Sequence, residues 1–266
     1  MLKKKSIGIA LACALALGAW SGTTLANPIN VDGVIYDTDS PLDLTIQALN
    51  FRETAVDSVG DTLMGYGQIG SINGETPDQF CPGCDLTFTF QYTVASIDDS
   101  GANTQIVFDP GTIDFYVDDT SSFNVLDPTT AGQGTLWLSL AGHTAPYTGF
   151  TVNGQLYSTV LGPAGNPQSG SSGFGLLDVT GGALASYVDT NTQVDGADFR
   201  LDSSFQFNNS GICAGDVCYP ISGTGQLIGS SAMAVPEPGE AGLLGLGLGL
   251  LGFFVWRRRK EAEGRA

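Results

Sequence analysis

The chain has 266 residues, with ten Lys and Arg against 27 Asp and Glu, and a formal charge of −17. The basic residues gather at the two ends. Between 27 and 235 only Arg52 and Arg200 oppose 23 Asp and Glu, so this stretch carries −21. Such a surface excludes nucleic acid as a partner and repels anionic lipid, because both require a basic footprint.

Lys3, Lys4 and Lys5 precede an apolar run from Ile7 to Ala19, and Leu25-Ala26 stands just before Asn27. A cationic start, a short apolar core and small residues at a cut describe a secretory signal peptide, residues 1–26, helical in its core. The apolar run is shorter than the roughly 20 residues a bilayer span needs. The alternative is an uncleaved anchor.

Residues 27–229 read as one exported acidic domain. Helical periodicity appears only around Leu42 to Ala48 and around Ala183 to Val188. Elsewhere alternation dominates. Leu86, Phe88, Phe90, Tyr92 and Val94 share one face of a strand, and Ile113, Phe115 and Val117 share another. Leu136, Leu138 and Leu140 alternate with Trp137 and Ser139, which places Trp137 on the face away from the leucines. Phe150 to Val152 and Gln155 to Tyr157 flank Asn153-Gly154, a hairpin signal. Short strands follow at 199–201, 205–207, 219–221 and 226–228. Asp109-Pro110-Gly111, Asp127-Pro128, Gly162-Pro163 and Asn166-Pro167 punctuate these runs as turns. Gly162 to Gly173 reads as the most mobile loop. Many short strands at regular spacing predict an all-β fold, an antiparallel β-sandwich of jelly-roll-like type.

Four cysteines remain once Cys13 leaves with the signal peptide: Cys81, Cys84, Cys213 and Cys218. An even number in an oxidising compartment reads as disulfides. Three pairings are open. The local ones, Cys81–Cys84 and Cys213–Cys218, are preferred because each brackets a tight turn. Cys81-Pro82-Gly83-Cys84 has redox spacing, but a redox thiol wants a helix N-terminus and here a strand pattern follows. A four-thiolate zinc site is the remaining alternative.

Catalytic chemistry finds little support. His143 is the single histidine, no Gly-x-Ser-x-Gly elbow surrounds a serine, and no HExxH, Walker or dinucleotide fingerprint occurs. Asp98-Asp99, Asp118-Asp119 and Asp195-x-x-Asp198 fall in expected turns, where Asp bonds local backbone. The expectation is a protein that is not an enzyme and has no cofactor beyond a candidate Ca²⁺. Its ligands would be Asp37, Asp39 and Asp43, or Asp189, Asn191 and Asp195, which offer hard oxygens on loops. Neither set is an EF-hand, since Leu42 and Val194 stand where glycine is required.

Residues 230–235 read as a spacer. Val235, Pro236, Glu237, Pro238 and Gly239 then lead into the uncharged run Ala241 to Trp256, followed by Arg257, Arg258, Arg259 and Lys260. Residues 236–256 suffice for one transmembrane helix, and the basic cluster would hold the tail, 261–266, in the cytoplasm. Pro-Glu-Pro, a Gly-Leu-rich helix and an Arg cluster together resemble the PEP-CTERM sorting signal of Gram-negative bacteria, here residues 236–260. The resemblance implies an exosortase partner, a membrane-embedded cysteine transpeptidase that cuts near Pro-Glu-Pro. It also implies only transient contact with the inner membrane, then release to the outer surface or extracellular matrix. The alternative is a permanent tail anchor.

Gly134 to His143, Gly175 to Gly182 and Asp189-Thr190-Asn191 further resemble the flocculation-associated group of PEP-CTERM proteins. That likeness implies a non-catalytic role in cell aggregation, with exopolysaccharide or other surface components as partners. The competing expectation is an exported carbohydrate-binding or carbohydrate-processing protein that stacks sugars on Trp137 or Tyr147.

Overall fold

The computed structural model describes residues 28–38, 40, 42–143 and 156–231, all within one compact unit, Asn27–Met233. The strands are β1 (Ile29–Val31), β2 (Val34–Tyr36), β3 (Leu44–Glu53), β4 (Thr62–Ile72), β5 (Asp85–Asp98) and β6 (Thr104–Phe108). They continue with β7 (Thr112–Asp118), β8 (Thr135–Gly142), β9 (Tyr157–Val160), β10 (Ser171–Gly181), β11 (Phe199–Ala214) and β12 (Val217–Gly229). Two single-turn helices, α1 (Pro77–Phe80) and α2 (Ala185–Val188), lie between strands.

Every strand pairing is antiparallel, and those among β3 to β12 together close a ring. β6 and β7 lie end to end along one edge of β5: Phe108 faces Val94, and after the break at Asp109-Pro110-Gly111, Thr112 faces Gln91. β8 and β9 share one edge of β10 in the same way, Gly142 facing Leu177 and Tyr157 facing Phe174. β7 pairs with β8 and β6 with β9, so each broken pair acts as a single stave. β10 continues to β11, β11 to β12, and β12 returns to β3, with Leu227 opposite Ile46. Neighbours in the ring are neighbours in sequence, which makes an eight-stave up-and-down barrel.

The antiparallel all-β expectation holds, but the jelly-roll sandwich is not the arrangement formed. A jelly roll needs long Greek-key crossings between two sheets. Here hairpin follows hairpin until the first and last staves meet, and the other sheet among the described residues is the small β1–β2 hairpin.

Alternation then sorts side chains into a lumen and an exterior. Leu86, Phe88, Tyr92 and Val94 of β5 and Ile113, Phe115 and Val117 of β7 face inward and are buried, as their spacing predicts. Outward positions such as Gln68, Thr89, Gln91 and Asp114 are polar. This polarity is the inverse of an outer-membrane barrel, whose apolar side chains face lipid. All described core residues fall between Val31 and Leu227, within this one compact unit.

Several local expectations differ. The helical spacing at Leu42 to Ala48 gives instead a turn and, from Leu44, the start of β3, where strand partners on both sides override it. The pairs of short strands at 199–207 and 219–228 are two long ones, β11 and β12, whose small residues interrupt the apolar alternation without interrupting the ladder. Ser171 to Gly173 belong to β10, and the Gly/Pro segment before it is tied down: Phe207 N–H donates to the Pro167 carbonyl and Gln168 N–H to that of Leu161, both at 2.7 Å. The spacing at Ala183 to Val188 does form a helix, α2. The hairpin signal at Asn153-Gly154 lies outside the described residues, as do the signal peptide, the transmembrane run and the tail. Among the described residues no helix is long and apolar enough to cross a membrane.

Candidate functional site

Staves β3, β4, β5, β7, β11 and β12 send their inward residues into the lumen, where aromatic rings dominate. Phe51 meets Phe90 edge-on at 6.0 Å between centroids, Phe88 lies 5.8 Å from Phe115, and Tyr92 lies 6.3 Å from Phe108. The rings fit because β4 presents Gly65 and Gly67 opposite Phe90 and Phe88. A Cβ on Gly67 would come within 2.8 Å of the Phe88 ring.

Among the described residues this packing leaves two cavities that share a wall. One, about 70 Å³, is lined by residues including Phe51, Phe88, Phe90, Tyr92 and Phe115. The other, about 40 Å³, lies toward Phe108, Val160 and Phe205. Glu53, Leu156 and Ser203 line both. Glu53 is only 6% exposed and bonds to no group among the described residues. Burial in this apolar wall pushes its carboxyl from 4.5 up to about 8, so it is uncharged at neutral pH. The Tyr92 hydroxyl is also buried without a partner, and burial pushes the phenol well above its usual range.

The residues singled out from sequence lie elsewhere. Trp137 is wholly buried on the outward face of β8, under the β1–β2 hairpin, and its indole N–H donates to the Val31 carbonyl at 3.2 Å. It offers no stacking platform. Tyr147 lies outside the described residues. His143 is 8% exposed, with Nδ1 2.6 Å from Asp178 Oδ1 and Nε2 3.1 Å from the Asp195 carbonyl. Both ring nitrogens are committed to holding the 195 turn against β10.

Cys81–Cys84 and Cys213–Cys218 are paired as disulfides, the first closing the turn between α1 and β5, the second linking facing residues of β11 and β12. This local pairing leaves no four-thiolate cluster. Of the calcium candidates, Asp39 lies outside the described residues. The Asp43 carboxylate accepts from Ser231 N–H, and the Asn191 amide donates toward Asp189 at 3.5 Å. Asp195 turns through a left-handed φ of 59°. Among the described residues no three acidic, His or Cys side chains converge as a metal site.

Sequence reasoning placed Asp198 in a turn as an acceptor for local backbone, which holds, but did not foresee its burial. It is 3% exposed, and its carboxylate accepts from three backbone amides: Thr190 and Asn191 at 2.7 Å and Val179 at 2.8 Å. Glu53 was missed. A bulge near Ala48 to Asn50 shifts the inward phase of β3 from even to odd numbers, so a period-two count from Leu44 places Glu53 outside.

The exterior is more acidic than a simple charge count conveys. Arg200 is paired with Asp202 at 2.8 Å, and Arg52 is half-buried beside Tyr66, which leaves little cationic surface on the barrel.

Comparison with known protein families finds the PEP-CTERM protein-sorting motif at residues 234–260. The chain carries a PEP-CTERM sorting motif. The motif spans Pro236-Glu237-Pro238 and the basic cluster Arg257 to Lys260, residues that lie outside those described structurally. A PEP-CTERM motif implies recognition by an exosortase, and it makes this an exported protein processed at a membrane. No curated protein and no solved structure matches the chain.

Proposed function

We propose that the barrel is a non-catalytic surface or matrix module that takes part in exopolysaccharide-associated cell aggregation. The observation that carries this reading is the joining of a sorting motif to a barrel of charge −21 with almost no free cation. An exterior of that kind stays soluble after release and attracts divalent cations, which bridge it to anionic polysaccharide. Calcium at either acidic loop would strengthen the bridge. The test is deletion of the gene with exopolysaccharide quantified separately. Dispersed flocs at unchanged polysaccharide yield support the reading, and unchanged settling of the deletion strain overturns it.

One feature favours a direct carbohydrate-binding reading as the alternative. An open groove of about 300 Å³ runs across β3, β11 and β12, lined by Asn50, Ser204, Gln206, Ser222 and Thr224. These side chains offer the hydroxyl and amide groups that sugars bond. Binding of residues 27–233 on a glycan array, lost on Gln206→Ala, separates this from the cation-bridged reading.

A further inference from the structure

On so acidic a barrel, an unpaired cation is out of place. Residues 27–235 hold 23 Asp and Glu, and Arg200 takes one of their carboxylates at 2.8 Å. Arg52, the only other Lys or Arg of that stretch, takes none among the described residues. Its Nε and Nη1 are shut off from solvent and bond to no group there. Burying part of a cation without an acceptor is costly, and native structures pair such groups. The side chain as a whole is only half-buried, so the guanidinium is reached from outside.

The strand register places that cation beside a polar surface. After the bulge in β3, Phe51 and Glu53 turn inward and Asn50 and Arg52 outward. Tyr66 of β4, Arg52, Ser222 of β12 and Gln206 of β11 stand opposite one another across four staves and share the outer face. Toward β4 the row is walled by tyrosines. Tyr66 is 2% exposed, its hydroxyl donates to the Val125 carbonyl at 2.9 Å, and Tyr219 packs edge-on against it at 5.0 Å. Asp127 also lies near Tyr66, but its carboxylate is taken by the Thr129 amide and hydroxyl, at 3.0 and 2.7 Å. Toward β11 the row enters the open groove of about 300 Å³, where Asn50, Ser204, Gln206, Ser222 and Thr224 bring amides and hydroxyls. One strand spacing, about 4.8 Å, separates Arg52 from Ser222 in that groove.

We propose that this outer face binds an acidic sugar, a uronic acid residue of a polysaccharide, whose carboxylate sits on the Arg52 guanidinium while its hydroxyls bond to Asn50, Ser222 and Gln206. The proposal rests on the carbohydrate reading of the groove and names the class of sugar. A carboxylate supplies the acceptors that Arg52 lacks, in a planar geometry that matches the guanidinium fork. The groove side chains are uncharged donors and acceptors, which suit sugar hydroxyls. A neutral sugar fills the groove but leaves Arg52 unmet. The contact is direct and needs no divalent cation, unlike a bridge through the acidic loops.

The test uses the protein recovered from its producing cells in mild detergent, with trigalacturonate and the neutral galactotriose as probes. Short probes limit the repulsion between a domain of charge −21 and a polyanion, and at about 0.15 M salt the remainder is screened beyond about 8 Å. With EDTA present, calorimetry at pH 7 should find the acidic probe bound at least about tenfold more tightly, the size of one charge-assisted hydrogen bond. Arg52→Gln should abolish that preference and leave the neutral probe bound as before. Arg52→Lys should retain part of it, since it keeps the charge and loses the fork. Gln206→Ala should weaken both probes alike. Far-ultraviolet spectra and urea midpoints establish that each variant is folded. Equal affinity for the two probes in the unsubstituted protein overturns the acidic-sugar assignment and leaves the carbohydrate reading standing. Binding of neither probe defeats both. A preference that survives Arg52→Gln, or acidic-probe binding that EDTA abolishes, also overturns the assignment.

Discussion

Replacing Glu53 by glutamine isolates the cost of holding a carboxyl inside an apolar barrel. Burial raises this group from 4.5 in the open chain to about 8 in the folded one. Between those values the folded protein holds a proton that the unfolded chain has released. The contribution of Glu53 to stability is therefore largest below pH 4.5 and falls by about 1.4 kcal/mol for each pH unit up to 8. The whole span amounts to about 5 kcal/mol, and the interval from pH 5 to 7 to about 3 kcal/mol. For a unit of this size that interval corresponds to a fall in Tm of roughly 6–12 °C. Asp98 and Asp118 have the opposite sign, their carboxyls lowered first by the Ser100 and Thr120 side-chain hydroxyls, but they act as pH falls below 3.8. Glu53→Gln keeps the shape and removes the titration. The assay is urea unfolding of residues 27–233 in both forms from pH 5 to 9, read as the difference between them. The difference should grow steadily to pH 8 in favour of the glutamine form and then level off. Two parallel curves would refute a buried, unpaired Glu53.

Other outcomes follow from particular contacts. Trp137 is the one tryptophan between 27 and 233 and is wholly buried; its fluorescence should resist acrylamide quenching until the barrel unfolds and should not respond to added sugars. Gly67→Ala would set a methyl 2.8 Å from both the Phe88 ring and the Asn50 carbonyl, and should cost about 1–3 kcal/mol in denaturant unfolding. Asp198→Ala strips the acceptor from three backbone amides and should cost about 3 kcal/mol, with faster hydrogen exchange at Thr190, Asn191 and Val179. Reducing Cys213–Cys218 opens a short loop, worth about 2 kcal/mol by loop-closure entropy, and should lower Tm without changing the far-ultraviolet spectrum at room temperature.

How far the fold can be read from sequence depended on side-chain contrast along each strand. β5 and β7 were plain because bulky apolar residues alternate there with Thr, Gln and Asp. β4 was invisible: two of its inward positions are Gly65 and Gly67, chosen to admit the Phe90 and Phe88 rings, so the apolar signal sits on the partner strand instead. β3 was misread because its bulge breaks period two, and that bulge also concealed Glu53. Closure into a ring depends on β12 meeting β3, a pairing between residues such as Gly229 and Leu44 that lie far apart in the chain, for which no local pattern exists. The sorting motif was legible for the opposite reason. Its parts are contiguous, and their meaning lies in order and composition, not in tertiary contacts.

Export and processing are the claim on which the rest depends, and an intact mass of the protein recovered outside the cell tests it most directly. The account predicts a chain that begins near Asn27, lacks Arg257 to Lys260, and carries two disulfides. A recovered mass equal to all 266 residues, or a protein found only in the cell with its basic cluster intact, would contradict it.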